Sequence, residues 1–371
     1  MNNRERVLAI MNYENYDRMP AVHFGLWAET LKKWVNEGHI SETEAKGRSG
    51  GNPPPEAMKR LGFDFGWSGN GFGASSGLEP GFERKVMEEL PDGSIKVRDS
   101  SGVIILQMPN AESIPAEIDH LLKDRKSWEE HFLPRLQFSK DRINFEAIEK
   151  LKSEEADRQD PLGLGCGSMI GVIRNWLGVE GVSYLWADDP ELYDEIINTS
   201  AELTYKCLEA VLQTGIKFDY GNFWEDICFK NGPLVVPSVF DEKCGPHYKR
   251  ITELLQKHGV NIISLDCDGL IDSLIPTWIN NGVNTMFPIE VGTWNANIAP
   301  WREQYGKKLR GVGGINKNIF AKDFAAVDAE IQRLKPLIEL GGYIPCPDHR
   351  IPPDAKWDNV RYYCDKMRES F

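Results

Sequence analysis

The nine residues Asn261-Ile262-Ile263-Ser264-Leu265-Asp266-Cys267-Asp268-Gly269 decide the fold. An apolar run of strand length stops abruptly in two acids and a glycine, the pattern of a buried strand that ends at a functional mouth. The same pattern recurs at 161–170, 217–226, 284–290, 308–316 and 342–350. Helical stretches at 191–215, 246–259, 271–282, 300–306 and 323–341 separate these runs, a last one at 357–370 closes the chain, and several end at Gly, a preferred helix stop. Strands alternating with helices imply parallel pairing. Two further strands expected at 19–24 and 62–67 bring the number to about eight, which fits a closed α/β barrel better than an open doubly wound sheet. The 371 residues are accordingly read as one domain, 1–371.

Working outward toward the N-terminus, residues 50–82 are rich in Gly, Pro and Ser and are expected as loops over a pocket mouth, with several residues able to form a lid. Residues 83–108 alternate around Pro91-Asp92-Gly93 and Ser100-Ser101-Gly102, so an antiparallel hairpin or meander is expected as an insertion over about 82–110. No internal repeat, heptad array or low-complexity tract interrupts the chain.

Composition narrows the function classes. Lys and Arg number 43 against 56 Asp and Glu, a formal charge of -13 that disfavours tracking a phosphate backbone, so nucleic acid is not an expected partner. No run of about 18 apolar residues occurs, and the opening residues are too polar for a secretory signal or a membrane span; the expected compartment is the cytoplasm. The seven cysteines are scattered without a CxxC pair, which points to reduced thiols rather than a disulfide framework or a zinc ribbon.

In a barrel the chemistry sits at the C-terminal strand ends. Those ends carry His23; Asn222, Trp224, Glu225 and Asp226; Asp266, Cys267 and Asp268; Glu290; Asn316 and Lys317; and Asp348, His349 and Arg350. Alternation puts Ser264, Asp266 and Asp268 on one face and Ile263, Leu265 and Cys267 on the other. Two acids that close either raise one pKa, which makes a general acid or base, or are held by a cation; the plain alternative is a helix cap beside a solvated side chain. Glu290 directly follows Met286-Phe287-Pro288-Ile289, a costly place for a carboxylate without a partner, and reads as a ligand or a base. His349 has an adjacent acid able to orient its ring for metal ligation or proton transfer. Among the thiols only Cys346 stands where a thiolate ligand could serve. Glu225 and His23 either act at the site or complete a hydrogen-bond network, and Trp224, Trp67 and Trp294 could line a cavity for a flat or apolar substrate. Gly311-Val312-Gly313-Gly314 lacks the helix and the later acid of a nucleotide fingerprint and reads as a tight turn. No local spacing such as HExxH supports a metal.

Residues 4–22 (RERVLAIMNYENYDRMPAV), 127–136 (SWEEHFLPRL), 265–269 (LDCDG), 282–291 (GVNTMFPIEV), 305–317 (YGKKLRGVGGINK) and 341–354 (GGYIPCPDHRIPPD) together resemble the uroporphyrinogen decarboxylase superfamily over nearly the whole chain. The resemblance implies a single TIM-type (β/α)8 barrel. Two chemistries belong to it: cofactor-free decarboxylation of a porphyrinogen, and methyl transfer to or from the cobalt of a protein-bound corrinoid. The decarboxylases carry an Arg-rich early motif, whereas this chain has Met19-Pro20-Ala21-Val22-His23-Phe24-Gly25-Leu26-Trp27 there. The methyltransferase branch is therefore the expectation, taking a methyl group from a small methylated substrate, such as a methyl ether, to a corrinoid protein in anaerobic demethylation.

That branch uses zinc held by a His-x-Cys pair and a later Cys. Here the pair falls on Asp266-x-Asp268 and the later ligand on or near His349, a departure that implies a harder ion, zinc or another divalent metal. What the resemblance then implies is Asp268, Glu290 and His349 as metal ligands, Asp266 and Glu225 as catalytic acids, and His23, Asn222 and Trp224 as substrate contacts, with a homodimer as the assembly. The competing readings are a decarboxylase and a non-catalytic binding barrel.

Overall fold

The computed structural model describes residues 1–46, 53–67, 71–109 and 115–371. Its strands, in chain order, are β1 (Val22–His23), β2 (Phe65–Gly66), β3 (Gly71–Gly73), β4 (Lys85–Glu89), β5 (Ile95–Arg98), β6 (Val103–Gln107), β7 (Ala116–His120), β8 (Gly163–Gly165), β9 (Tyr220–Trp224), β10 (Cys228–Phe229), β11 (Gly232–Pro233), β12 (Ile262–Asp266), β13 (Thr285–Ile289), β14 (Arg310–Ile315) and β15 (Tyr343–Pro347). Seven of them form one parallel sheet in the order β15-β14-β13-β12-β9-β8-β3. The six strands expected from residue 161 onward all lie in it.

β1 and β2 pair parallel, Val22 against Phe65 and His23 against Gly66. A parallel bridge between Leu26 and Ile351 ties the chain after β1 to the chain after β15, through Trp27 N to Ile351 O at 3.3 Å and Ile351 N to Gly25 O at 3.0 Å. β3 falls where loop was expected; its sequence, Gly71-Phe72-Gly73, carries a single apolar residue and gives no alternation to read. Residues 50–52 and 68–70, part of the stretch expected as loops and lid, lie outside the described residues, as do residues 47–49.

Helices on the outer side follow from amphipathic spacing. In Pro190–Leu212, Asp189 accepts from Leu192 N at 2.9 Å as the cap, Pro190 opens the first turn, and Leu192, Ile196, Leu203, Cys207 and Val211 are buried along one side. Pro237–Lys257 begins nine residues before the start expected at Pro246, because Phe240, Cys244, Tyr248, Ile251 and Leu255 hold one apolar stripe straight through the proline. Gly171–Asp188 bends at Gly178, whose φ of 73° leaves the helical region, where His120 of β7 lies so close that a Cβ would approach its Nε2 to 2.6 Å.

The insertion is a four-stranded antiparallel sheet, β4-β5-β6-β7, rather than a hairpin or three-stranded meander. Its fourth strand lies beyond the expected end near 110, and residues 110–114 are outside the described residues. Phe82 anchors it, edge-on to Phe132 at 5.3 Å and under the Arg135 guanidinium at 4.4 Å.

Candidate active site

Which face each strand presents follows from its helix contacts. Phe223 meets Tyr248 of the helix Pro237–Lys257 at 5.0 Å, and a Cβ on Gly221 would touch Leu255, so these positions face outward. Alternation then sends Tyr220, Asn222 and Trp224 into the lumen. In β12, Ser264 pairs with Asn222 and Asp266 with Trp224, so Ser264 and Asp266 share the lumen face; in β13, Phe287 is level with Asp266. Phe24 stacks on Phe287 and on His349, each at 4.9 Å. The structure therefore brings together Trp224, Asp266, Phe287, Phe24 and His349 at one mouth, with Asn222 one step deeper. The Asn222 Oδ1 is buried without a partner there.

Deeper still, Trp67 stacks on Tyr220 at 4.6 Å, donates its indole N–H to Ser264 Oγ at 3.3 Å, and accepts from the Tyr220 hydroxyl through its carbonyl. It is fully buried, a floor rather than a cavity wall.

Four carboxyls cluster at the mouth. Asp226, held at φ 45° after β9, lies 3.3 Å from the Arg174 guanidinium. Asp268 Oδ2 lies 3.5 Å from His349 Nε2, while its Oδ1 is buried with no partner. Glu290 accepts from Gly269 N with one oxygen and from the Thr293 hydroxyl at 2.8 Å with the other, so it shapes the turn that presents Asp268. Burial, reinforced by Asp268, raises its pKa. The Asp266 carboxyl makes no hydrogen bond or ion pair among the described residues, and the residue stays partly exposed. Burial first, then the charges of Asp268, Asp226 and Glu290, push its pKa well above the ordinary 3.8, with Arg350 opposing. A carboxyl so placed is protonated where an ordinary Asp is not, which makes it a proton donor.

Glu225, expected as a catalytic acid, has a different task. Its carboxylate is wholly buried and accepts from Met169 N at 2.6 Å, Ile170 N at 2.9 Å, Gly171 N at 2.8 Å, Ser168 Oγ at 3.2 Å and the Tyr248 hydroxyl. Burial pushes its pKa up against these hydrogen bonds. It anchors the start of the helix Gly171–Asp188, satisfying N–H groups that no helical carbonyl reaches. By alternation it faces away from Trp224.

His23, expected to touch substrate, is on the far side of Phe24. Its ring packs over Gly66, where a Cβ would approach within 2.3 Å, and edge-on to Phe63 at 5.4 Å. Burial lowers its pKa to about 3. Cys346 is fully buried, and burial with the Asp348 charge pushes its thiol well up, so it supplies no thiolate. Asp348 is buried and accepts from Gly292 N at 2.6 Å and Lys317 N at 3.1 Å. Cys267 faces away from the acids, as alternation predicts, and is buried.

The implied metal does not fit these positions. Among the described residues no three His, Cys, Asp or Glu side chains converge to hold one ion. Glu290 has both oxygens engaged by protein donors, which leaves Asp268 and His349 as a pair. The three expected ligands share a mouth without forming a coordination set.

Arg174, Arg350 and Trp27 had no assigned role in the sequence, although Arg350 ends the 342–350 run directly after His349. Arg350 lies over the Trp27 ring at 4.8 Å.

No helix among the described residues is long and apolar enough to cross a membrane. A methyltransferase from Methanosarcina mazei shares the fold with a TM-score of 0.63 at 15% identity, covering 100% of this chain and 99% of that one. A B12-independent methionine synthase from Shewanella sp. W3-18-1, in complex with selenomethionine, gives 0.50 at 9% identity over 95% and 98%. Likenesses at these identities establish the fold alone. Among curated proteins none matches the sequence. The uroporphyrinogen decarboxylase (URO-D) family profile matches residues 106–370, well over half of the chain and all of the strands from β8 to β15. The chain belongs to the uroporphyrinogen decarboxylase family.

Proposed function

We propose that this chain is a methyltransferase that takes a methyl group from a small methylated oxygen compound and passes it to a corrinoid carried by a partner protein, with Asp266 as the proton donor to the oxygen left behind. The observation that carries the reading is Asp266 itself: a lumen-facing carboxyl at a strand mouth, with no hydrogen-bond partner and with three other acids around it. The fold shared with a methyltransferase supports the reaction class.

A corrinoid delivered by the partner protein would supply a nucleophilic cobalt as the methyl acceptor. The chain's own residues do the rest. The carbon–oxygen pair stays on oxygen, which takes the Asp266 proton and leaves as an alcohol; the carboxylate then regains a proton from water. Trp224, level with Asp266 on the next strand, and Phe24 with Phe287 form apolar walls that keep water from the developing charge. Asn222, below them, offers its unpartnered oxygen to a substrate donor. Asp268 and His349 border the donor site, and Glu290 fixes the turn that presents Asp268. Trp224, Asp266, Asp268 and His349 all remain partly exposed, so an acceptor delivered by another protein can reach the mouth.

The test is spectrophotometric: methylation of cob(I)alamin by methyl ethers, with wild type beside Asp266→Asn. Loss of a positioned general acid lowers the rate by about a hundredfold or more. An unchanged rate in Asp266→Asn refutes the assignment. Family membership favours a second reading, decarboxylation, in which the same Asp266 proton goes to carbon after carbon dioxide leaves. Release of carbon dioxide without methyl transfer would select it.

A further inference from the structure

The charges at the mouth do not cancel. Asp226 faces Arg174, Asp268 faces His349, Glu290 is held by a backbone N–H and a hydroxyl, and Asp266 feels the Arg350 charge without bonding to it. Arg350 is left without a bonded partner. Among the described residues its guanidinium makes no hydrogen bond and no ion pair, and its Nε is buried without an acceptor.

The side chain is nonetheless held in place. Its guanidinium lies over Trp27 at 4.8 Å, and Trp27 is fixed by the rung that joins its N–H to the Ile351 carbonyl. Trp27 also borders His349, at 5.7 Å between ring centroids. A cation over an aromatic face keeps its in-plane N–H groups free to donate. An arginine with several unmatched donors beside this mouth is built to receive an acceptor from outside the chain.

We infer that Arg350 binds a carboxylate of the substrate, so that the methyl donor is an acid rather than a neutral ether. The planar fork suits two carboxylate oxygens. A phosphate, with its larger charge, would be repelled more strongly by Asp226, Asp268 and Glu290 across the same mouth. The assignment rests on the proposed reaction only in taking this mouth as the substrate site; it depends on no step of the chemistry.

Isothermal titration decides it with two matched pairs, methoxyacetate with methoxyacetamide and benzoate with benzamide, on wild type, Arg350→Gln and Arg350→Lys. In wild type at least one carboxylate binds about tenfold more tightly than its amide, the worth of a charge-assisted hydrogen bond. Arg350→Gln abolishes the preference, and Arg350→Lys, which keeps the charge and loses the fork, restores part of it. Wild type without preference, including no binding of any carboxylate, overturns the inference, and so does an equal preference in Arg350→Gln. Inorganic phosphate binding more tightly than either carboxylate in an Arg350-dependent way overturns the carboxylate assignment. Should Arg350→Gln not fold, the wild-type and Arg350→Lys isotherms alone carry the decision. Absence of methylcobalamin with the carboxylate preference intact fails the transfer reaction and spares Arg350; transfer from acid and amide alike does the reverse.

Discussion

Replacing Glu225 by Ala separates an anchor from a catalyst. The substitution strips acceptors from three backbone N–H groups, those of Met169, Ile170 and Gly171, and from the hydroxyls of Ser168 and Tyr248, all in a buried place. Each buried donor left unmatched costs about 1–3 kcal/mol. Water entering the space vacated by the side chain can satisfy some of them, so the expected loss is about 4 kcal/mol rather than the full sum. That is a large part of the roughly 5–15 kcal/mol that holds a typical protein folded. Urea unfolding followed by far-ultraviolet circular dichroism at neutral pH measures it. Glu225→Gln keeps the volume and one acceptor oxygen but turns an NH2 group toward donors, and should lose about half as much. A loss below about 1 kcal/mol in Glu225→Ala, with transfer activity abolished, would refute the anchoring role and return Glu225 to the chemistry.

Asp266 contributes a pH signature. Its folded pKa lies above the unfolded value, so the stability it contributes is fully present below the ordinary 3.8 and is lost as pH rises toward the folded value. Melting temperatures of wild type and Asp266→Asn should therefore diverge in favour of the variant between acid and neutral pH, and parallel curves would contradict the raised pKa. His23 works in the opposite sense: with its pKa lowered to about 3 from 6.5, the protein loses stability as pH falls below 6.5. The loss reaches about 2 kcal/mol by about pH 5, and His23→Leu should flatten that limb of the profile while leaving substrate affinity unchanged. Gly171→Ala would drive a Cβ to 1.9 Å from the Glu225 carbonyl oxygen, so the variant should be recovered unfolded or aggregated; normal yield and melting would show the helix start can move. Chelator treatment should leave Asp266-dependent transfer intact, whereas activity lost to chelator and restored by zinc would show that Asp268, Glu290 and His349 gather only around an ion.

Much of this site could be read from spacing. The six late strands declare themselves because each is a short apolar run ending in polar residues, and alternation correctly set Asp266 apart from Cys267. The same rule, applied to β9, separates Glu225 from Asn222 and Trp224, so the signal that takes Glu225 out of the site was present in the sequence. His23 and Phe24 differ in the same way, but a two-residue strand gives too little pattern to show which of them faces inward. What spacing cannot supply is the donor set around a carboxylate. Glu225 and Glu290 look alike as acids after apolar runs, yet both have their oxygens taken by protein donors from chain segments up to 57 residues away. Arg350 went unassigned because a strand-end arginine is ordinarily paired, and only coordinates reveal one that is not. β3 escaped notice because two of its three residues are glycines.

Among the described residues, Trp67 plugs the lumen beneath Asp266. Ser264 lies two residues below Asp266 on β12, so the indole that bonds it sits about 7 Å beneath the acid. Among the described residues that fully buried ring, clamped to Tyr220 and Ser264, blocks the way down. In the proposed reaction, methyl donor, spent product and the proton that re-arms Asp266 would therefore share the threshold that the methyl acceptor needs. That proposal then carries an order with it: the donor would enter before the acceptor docks, and the demethylated product would leave after it has gone.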